Sequence, residues 1–353
     1  MSAALLAVEN LSISFPGEAG PVRVVDRVSL SVAAGETLAL VGESGCGKSM
    51  TALAIMRLIP KPGRIEPGGR VQFEGRDLLS LSVPDMRAVR GARIGMIFQE
   101  PMTSLNPVTT VGDQVLEAIE LHADMSRAEA RGRVIELFGL VGIPDAKSRF
   151  SAYPHQLSGG LKQRVMIAMA MAMRPRLLIA DEPTTALDAT IRAQILELLR
   201  DLSAKTGTAV LLITHDFGVV NEVADRVAVM YAGQIVEEGT RFELLGRPRH
   251  PYTQGLLRSI PKAEVRGTRL EEIKGAVPRP GHWPPGCRFH TRCPHAFAPC
   301  PVQEPARTAV SPTHAASCHL LVPEARSLAC CRRRGHERVA GGAAMSVLQG
   351  ARP

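Results

Sequence analysis

The sequence predicts an α/β domain followed by an irregular C-terminal region that contains cysteines. Three short runs, at residues 37–41, 177–180 and 209–214, are almost wholly apolar, which is typical of strands buried on both faces of a parallel sheet. Helical patterns alternate with these runs, and that alternation indicates an α/β fold. After Gly239, prolines become frequent and regular periodicity fades.

The composition is that of a globular protein with one large domain and a smaller addition. The chain has 353 residues, of which 45% are hydrophobic. No apolar run approaches the roughly 18 residues that a membrane-spanning helix needs. The first residues lack the basic and apolar segments of a secretion signal, so we expect a cytosolic chain.

The net charge of +8 does not predict a nucleic-acid-binding protein. Residues 322–353 carry six Arg against two Glu, which accounts for half of that charge. The other half is spread along the chain without a basic stripe or interleaved aromatic residues. We therefore expect no direct contact with nucleic acid, and we predict that residues 321–353 form a disordered basic tail.

The remaining elements follow in chain order. Alternating apolar residues predict strands over residues 5–15 and 22–32, and a helix is predicted over 48–58. Helical spacing over 111–140 predicts a small helical subdomain, which we place at about 102–165. One further helix is amphipathic, and its apolar face comprises Ile191, Ile195, Leu198, Leu199 and Leu202.

A glycine-rich sequence after the first apolar run predicts a phosphate-binding loop. It fits the pattern G-x-x-x-x-G-K-[ST] with Gly42, Glu43, Ser44, Gly45, Cys46, Gly47, Lys48 and Ser49. Backbone N–H groups of such a loop, together with the following helix N-terminus, surround phosphates. Lys48 would neutralise phosphate charge, Ser49 would bind Mg²⁺, and Met50 completes the predicted nucleotide-binding set.

Two carboxylates follow the second apolar run. Parallel strands present ligand-binding residues at their carboxyl ends, which is where Asp181 and Glu182 lie. Asp181 would hold Mg²⁺ through water, and Glu182 would orient and deprotonate the attacking water. These features together predict a protein that hydrolyses ATP or GTP.

Four further elements carry a resemblance to ABC ATPases, which covers about residues 6–239. Residues Leu157, Ser158, Gly159, Gly160 and Leu161 resemble the signature sequence of that family, although Leu161 stands where many members have Gln. Gln99 resembles the Q-loop glutamine, Asp188 lies in a sequence similar to the D-loop, and His215 matches the switch histidine. The resemblance implies a P-loop NTPase fold with a RecA-like core over residues 1–246.

The resemblance also implies roles for these residues. The signature would close over ATP bound to a second ATPase subunit, which we expect to be a paralogue. Gln99 would contact the Mg²⁺ and the water and report contact with a membrane subunit, and His215 would contact the γ-phosphate. Phe15 would stack on the adenine.

The C-terminal region, residues 247–320, resembles that of ATPase subunits of oligopeptide, dipeptide and nickel importers. Residues 249–257, 286–293 and 317–319 carry the resemblance. It implies two transmembrane permease subunits, an extracytoplasmic solute-binding protein and a peripheral place on the cytoplasmic face of the inner membrane. The expected function is ATP hydrolysis that energises import of peptides, with nickel or glutathione as alternative solutes.

The cysteines of this region predict a metal site. Cys287, Cys293, Cys300 and Cys318 lie in a Pro-rich segment that needs a staple in place of regular structure. Their gaps of five, six and seventeen residues are wider than zinc ligands usually have, which favours a [4Fe–4S] cluster over zinc or no metal.

Two functions of another class remain as alternatives to a transport ATPase. They are a soluble, non-transport ABC ATPase and a redox-sensing ATPase.

Overall fold

The computed structural model describes residues 4–99, 104–185, 187–260 and 272–322. Glu100 and Pro101 of the predicted Q-loop, Ala186 of the D-loop sequence and nearly all of the predicted basic tail lie outside these residues. The described strands form two sheets. They are β1 Ala4–Gly17, β2 Gly20–Ala33, β3 Thr37–Val41, β4 Arg64–Ile65, β5 Arg70–Phe73, β6 Arg76–Asp77, β7 Ile94–Ile97, β8 Leu177–Asp181, β9 Ala209–Thr214, β10 Arg226–Tyr231, β11 Gln234–Thr240, β12 Arg307–Ala309 and β13 Ala315–Ser317.

The first sheet is antiparallel. Strands β1 and β2 form a long hairpin, and β1 also pairs with β4 and β5. Apolar side chains of β1, including Leu6, Val8, Leu11 and Ile13, are fully buried, and a register shift separates Val8 from Leu11. The sequence predicted both strands, although β1 and β2 each extend beyond the predicted limits.

The second sheet contains the nucleotide-site strands. Its order is β12-β13-β11-β10-β3-β9-β8-β7, and strands β10, β3, β9, β8 and β7 are parallel. Almost every side chain of β3, β8 and β9 is buried, because helices and the first sheet cover both faces. The three predicted apolar runs are confirmed as neighbouring parallel strands, and the α/β fold is confirmed with them.

The described α-helices connect and cover this sheet. They are α1 Lys48–Ile55, α2 Val83–Val89, α3 Val111–Glu120, α4 Arg127–Leu140, α5 Ala146–Arg149, α6 Gly159–Met171, α7 Ala189–Thr206, α8 Phe217–Val223, α9 Arg241–Gly246 and α10 Pro251–Arg258. Side-chain caps define where several begin. Ser126 and Glu129 form a capping box before α4, and Thr110 and Asp188 cap α3 and α7. None of the helices in the described part of the chain is both long and apolar enough to cross a membrane.

The C-terminal region is packed onto the second sheet. Strand β13 pairs with β11 through Glu237 and Ala316, and β12 continues the sheet beyond it. A third apolar cluster joins this region to the sheet, with Tyr231, Tyr252 and Phe289 at its centre. The region is therefore anchored by strand pairing and an aromatic core, features that the sequence did not indicate.

Substituting Leu40 in β3 tests how much the central sheet contributes to stability. The side chain is fully buried between two covered faces, so Leu40→Ala is expected to lower the free energy of unfolding by about 2–5 kcal/mol. Urea denaturation followed by circular dichroism measures this change. Leu140→Ala is the matched control, because Leu140 is 56% exposed at the end of α4 and should change stability by less than about 0.5 kcal/mol. Equal losses would contradict the buried position of β3.

Candidate functional site: a phosphate loop and two carboxylates

The glycine-rich loop joins β3 to α1 in a conformation that requires glycine. Gly42 has φ 155°, and a Cβ atom there would lie 2.2 Å from the Met230 carbonyl oxygen. Gly47 has φ 111°, and its Cβ would meet the Met230 side chain at 2.7 Å. Helix α1 then begins at Lys48 without a side-chain cap. The loop thus leaves the N–H groups at the start of α1 available for an anion.

Lys48 is buried, and its ammonium group rests on the loop itself. Nζ donates hydrogen bonds to the carbonyl oxygens of Gly42 at 2.7 Å and Glu43 at 3.1 Å. The Cys46 thiol is fully buried beside it, and burial raises the pKa of that thiol. Cys46 therefore fills space under the loop, while Lys48 places its ammonium group where phosphates would lie.

Ser49 and Asp181 meet at the carboxyl edge of the sheet. Ser49 Oγ donates to Asp181 Oδ1 at 3.1 Å. Burial is the main cause that raises the pKa of Asp181, the charge of Glu182 adds to it, and the Ser49 hydrogen bond opposes it. The raised pKa means that a positive charge near Asp181 would be favourable. Mg²⁺ prefers oxygen ligands, so the Ser49 hydroxyl and the Asp181 carboxylate fit that ion.

Glu182 is held by three side chains from different elements. Thr185 Oγ1 donates to Oε2 at 2.8 Å, His215 Nδ1 lies 3.2 Å from Oε1, and Gln99 Nε2 donates to Oε2 at 3.4 Å. Burial alone would raise the pKa of Glu182, but the bonds from Thr185 and His215 outweigh it and lower the pKa. The group is thus an ionised carboxylate, as a base that activates water must be.

The backbone of Glu182 is in the left-handed region, with φ 48°. Its N–H donates to the Ile213 carbonyl oxygen at 2.9 Å, and its own carbonyl accepts from the Thr185 N–H at 3.1 Å. A non-glycine residue in this region carries strain of about 1–3 kcal/mol. The chain therefore turns sharply after β8 and directs the carboxylate toward Gln99 and His215.

The predicted signature residues lie at the start of α6, in the helical subdomain. Ser158 caps the helix by accepting from the Leu161 N–H at 3.4 Å. A Cβ atom on Gly160 would lie 2.8 Å from the Ile191 side chain, so glycine permits α6 to approach α7. Leu157 is buried behind this turn, and Gly159 and Leu161 are only partly buried. The turn presents an N-terminal helix end with no carboxylate in its first turn, and Lys162 in that turn is buried.

The other predicted residues occupy varied positions. Asp188 caps α7, and its Oδ1 accepts from the Ile191 N–H at 2.9 Å. Phe15 is partly buried, and its ring packs closely against Gly63. A Cβ atom added to Gly63 would lie 2.5 Å from the Phe15 ring. Met50 is a partly buried residue of α1 that packs with the same core. Thr185, whose hydroxyl donates to Glu182, was not predicted from the sequence. Its position three residues after Glu182 could have indicated this contact, because a hydroxyl at that spacing can reach the carboxylate across a turn.

The predicted [4Fe–4S] cluster is wrong. Within the described residues, no group of three or more His, Cys, Asp or Glu side chains is disposed to hold a metal ion. Cys287, Cys293, Cys300 and Cys318 are free thiols. Burial raises the pKa of Cys293 to about 11 and of Cys318 to about 12, which favours the protonated form rather than the thiolate that metals bind. The aromatic core and the β11–β13 pairing supply the anchoring that the cluster was invoked to explain.

A parallel sheet with a phosphate loop after β3, an aspartate–glutamate pair at the end of β8 and a histidine after β9 defines a P-loop nucleoside triphosphatase. The further helix α6, which begins with two glycines after its Ser158 cap, narrows that class to ATP-binding cassettes.

Comparison with known proteins gives the family. Residues 25–185 match the family described as "ABC transporter", and residues 236–300 match "Oligopeptide/dipeptide transporter, C-terminal region". The dipeptide transport ATP-binding protein DppD of Bacillus subtilis is 51% identical over 90% of this chain and 94% of its own length. DppD of Escherichia coli is 50% identical over 91% and 98%, and the oligopeptide transport protein OppD of B. subtilis is 52% identical over 91% and 90%.

A solved structure agrees with these sequence relatives. The dimeric structure of MJ0796, a bacterial ABC transporter cassette, superimposes with a TM-score of 0.60 at 29% identity, and the match covers 67% of this chain and 98% of the MJ0796 chain. The chain belongs to the ABC transporter family, as an ATP-binding subunit with the oligopeptide/dipeptide type of C-terminal region. Members of this family are ATPases, and this chain is one of them.

Proposed function

We propose that this chain hydrolyses ATP at the cytoplasmic face of the inner membrane and thereby energises import of peptides. The arrangement of Glu182 carries the chemical part of the proposal, since an ionised carboxylate is held beside the phosphate loop by Gln99, Thr185 and His215. The dipeptide and oligopeptide transport names of relatives about 50% identical over most of the chain support the solute class.

The loop residues 42–49 would bind the β- and γ-phosphates through backbone N–H groups and the start of α1. Lys48 would leave the carbonyl oxygens of Gly42 and Glu43 for the phosphate oxygens, which are stronger acceptors. Ser49 and Asp181 would hold the Mg²⁺ that accompanies ATP and neutralises its charge.

Glu182 would accept a proton from the attacking water, and His215 would contact the γ-phosphate. The His215 side chain is 62% exposed, so it has room to turn from Glu182 toward the nucleotide. Gln99 would align the water and the metal from the end of β7. Phe15 and Met50 would border the nucleoside side of the site.

A second ATPase subunit would complete the site. The helix end at Ser158, Gly159 and Gly160 offers N–H groups but no catalytic group, so it suits the γ-phosphate of ATP bound to another subunit. The likeness to the dimeric cassette MJ0796 supports this arrangement. We propose a paralogue as that second subunit, with Leu157, Leu161 and Asp188 at or behind the contact.

One of the two permease subunits would dock on this chain, in a groove between the sheet and the helical subdomain. The groove has a volume of about 800 Å³ and is lined by residues 87, 88, 90 and 92, at and just after the end of α2, and by residues 120–124, at and just after the end of α3. Leu121 in this groove is 71% exposed. An exposed apolar side chain beside charged residues could pack against a helix of a membrane subunit. Through this contact, the ATPase would associate peripherally with the membrane.

Leu121→Asp tests this docking surface. The substitution is expected to lower transport-stimulated ATP hydrolysis by the assembled complex at least 10-fold, because a carboxylate would have to be desolvated in the contact. ATP binding to the free subunit should be unchanged. Leu140→Asp, on an exposed position of α4 outside the groove, is the control. A complex that assembles and transports normally with Leu121→Asp would contradict the docking proposal.

The solute is tested by reconstitution. Vesicles that contain the permease subunits with this chain and its paralogue would be supplied with the solute-binding protein and ATP. Uptake of a labelled dipeptide is expected, at rates well above those for nickel or glutathione. If the vesicles took up nickel but no peptide, the proposed solute would be wrong and nickel would take its place. If ATP were hydrolysed without uptake of any solute, a non-transport ATPase would be favoured.

The proposed organisation divides the chain by task. Residues 1–246 would form the ATPase domain, with residues 102–165 as its helical subdomain, and 247–320 the importer-type C-terminal region. A solute-binding protein outside the membrane would deliver the peptide. No role in nucleic-acid binding is proposed.

A further inference from the structure

The C-terminal region holds the phosphate loop through one residue, Glu43. The Glu43 backbone N–H donates to Tyr252 Oη at 2.9 Å. Both carboxylate oxygens of Glu43 accept from the Arg292 guanidinium, at 2.8 and 3.0 Å. These partners follow Glu43 by 209 and 249 residues. The loop is therefore fixed at its backbone and at its side chain by residues distant in sequence.

Arg292 is itself immobilised. Its side chain is only 4% exposed. It also donates to the carbonyl oxygens of Ile273, Lys274 and Gly275 at distances of 3.0–3.3 Å. A two-pronged bond between a planar guanidinium and a carboxylate is strong and directional. The fixed guanidinium thus determines where the Glu43 carboxylate lies.

Tyr252 is equally constrained. It is fully buried, and its ring contacts those of Tyr231 and Phe289 at centroid distances of 4.6 and 5.4 Å. The Tyr252 N–H donates to Nδ1 of His250 at 3.1 Å. Burial lowers the pKa of His250 to about 3, so its ring is neutral near pH 7 and Nδ1 can accept that bond. The hydroxyl of Tyr252 is therefore presented to the loop from a rigid core.

A carboxylate in a phosphate loop repels the nucleotide unless it is neutralised. Glu43 is the second residue of the G-x-x-x-x-G-K-S sequence, and the pattern does not require an acidic side chain there. Repulsion between a partly buried carboxylate and triphosphate would be screened less than in water. The Arg292 guanidinium neutralises the Glu43 carboxylate. The Tyr252 hydroxyl accepts the hydrogen bond of the Glu43 backbone N–H and so fixes the direction of that N–H.

We propose that Tyr252 and Arg292 are positioning residues of the ATP site, so that packing of the C-terminal region sets the affinity of the phosphate loop for ATP. This inference rests on the proposed role of the loop in nucleotide binding. It assigns a function to the C-terminal region within the ATPase reaction, in addition to its place in the fold.

Arg292→Gln in the full chain tests the inference. The Kd for the non-hydrolysable analogue AMPPNP with Mg²⁺, measured by calorimetry, is expected to rise about 10-fold, because Glu43 then faces the phosphates without a counter-charge. The double variant Glu43→Gln/Arg292→Gln should recover to within about 3-fold of the parent, because the repelling charge is gone. Arg307→Gln is the matched control, since it breaks a C-terminal ion pair with Glu238 away from the loop.

Tyr252→Phe is the second variant, because it keeps the aromatic core and removes only the hydroxyl. It should raise the Kd about 2- to 12-fold, with an unchanged urea midpoint of unfolding. In the assembled complex, the KM for ATP should rise while kcat changes less.

Unchanged affinity in both Tyr252→Phe and Arg292→Gln would overturn the inference, and so would an absence of recovery in the double variant. The proposed function would fail differently, since the parent protein would then bind no AMPPNP or would bind it independently of Lys48.

Discussion

The Glu182→Gln protein is expected to bind ATP with about the affinity of the parent and to hydrolyse it 100- to 10,000-fold more slowly. Glutamine keeps the shape of the side chain and can still contact Thr185 and Gln99, but it cannot accept a proton from water. Because ground-state binding would use the phosphate loop and Lys48, the loss should fall on kcat. Single-turnover hydrolysis of radiolabelled ATP by the assembled complex, with a parallel binding titration, measures both quantities.

Glu222→Gln is the control for this experiment. Glu222 is an exposed carboxylate of α8, and its change removes the same charge outside the site. It should leave turnover within about 2-fold of the parent, as most surface substitutions do. A Glu182→Gln protein that turned over ATP at the parent rate would exclude Glu182 as the base, and the group that activates water would have to be sought elsewhere.

Lys48→Ala is expected to weaken ATP binding by 10- to 100-fold and to reduce hydrolysis at least as much. The ammonium group is the one cation placed by α1 at the loop, and hydrogen bonds to charged groups contribute about 1.5–3 kcal/mol. Binding of AMPPNP by calorimetry gives the affinity directly. Lys205→Ala, at an exposed position in the last turn of α7, is the control and should bind normally.

Lys48 also holds the loop in the absence of ATP, through the carbonyl oxygens of Gly42 and Glu43. Thermal unfolding should therefore accompany the binding measurement, so that lost affinity can be separated from a disordered loop. An affinity equal to that of the parent, in a folded Lys48→Ala protein, would contradict the phosphate-binding role of the loop.

Most residues of the proposed site could be named from the sequence because the patterns that indicate them are local. Each of the strands β3, β8 and β9 is a short apolar run, and the residues that follow them carry the loop, Asp181, Glu182 and His215. Once three such strands are parallel neighbours, their carboxyl ends must share an edge. The register places Val41 opposite Thr214 and Asp181 opposite Ile213, so the groups meet there.

The C-terminal region was predicted poorly because its structure depends on distant partners. Residues 315–317 form a strand that pairs with β12 on one side and with β11 on the other, and β11 lies about 80 positions earlier in the chain. Arg292 and Glu43 carry no signal of their pairing in the sequence. Cysteine spacing, in contrast, gave a metal site that the structure contradicts, since spacing along a Pro-rich segment does not determine where sulfur atoms point.

The bond between Arg292 and Glu43 also has a consequence for biosynthesis. The ribosome makes the phosphate loop early, yet the arginine that neutralises its carboxylate is added 249 residues later. At about 5–20 residues per second, the interval is roughly 12–50 s. In the last part of that interval, after β10 has been made, the chain contains every strand that supports the loop but not yet the arginine that pairs with Glu43. A cassette that is still being synthesised would therefore bind ATP more weakly than the complete chain does.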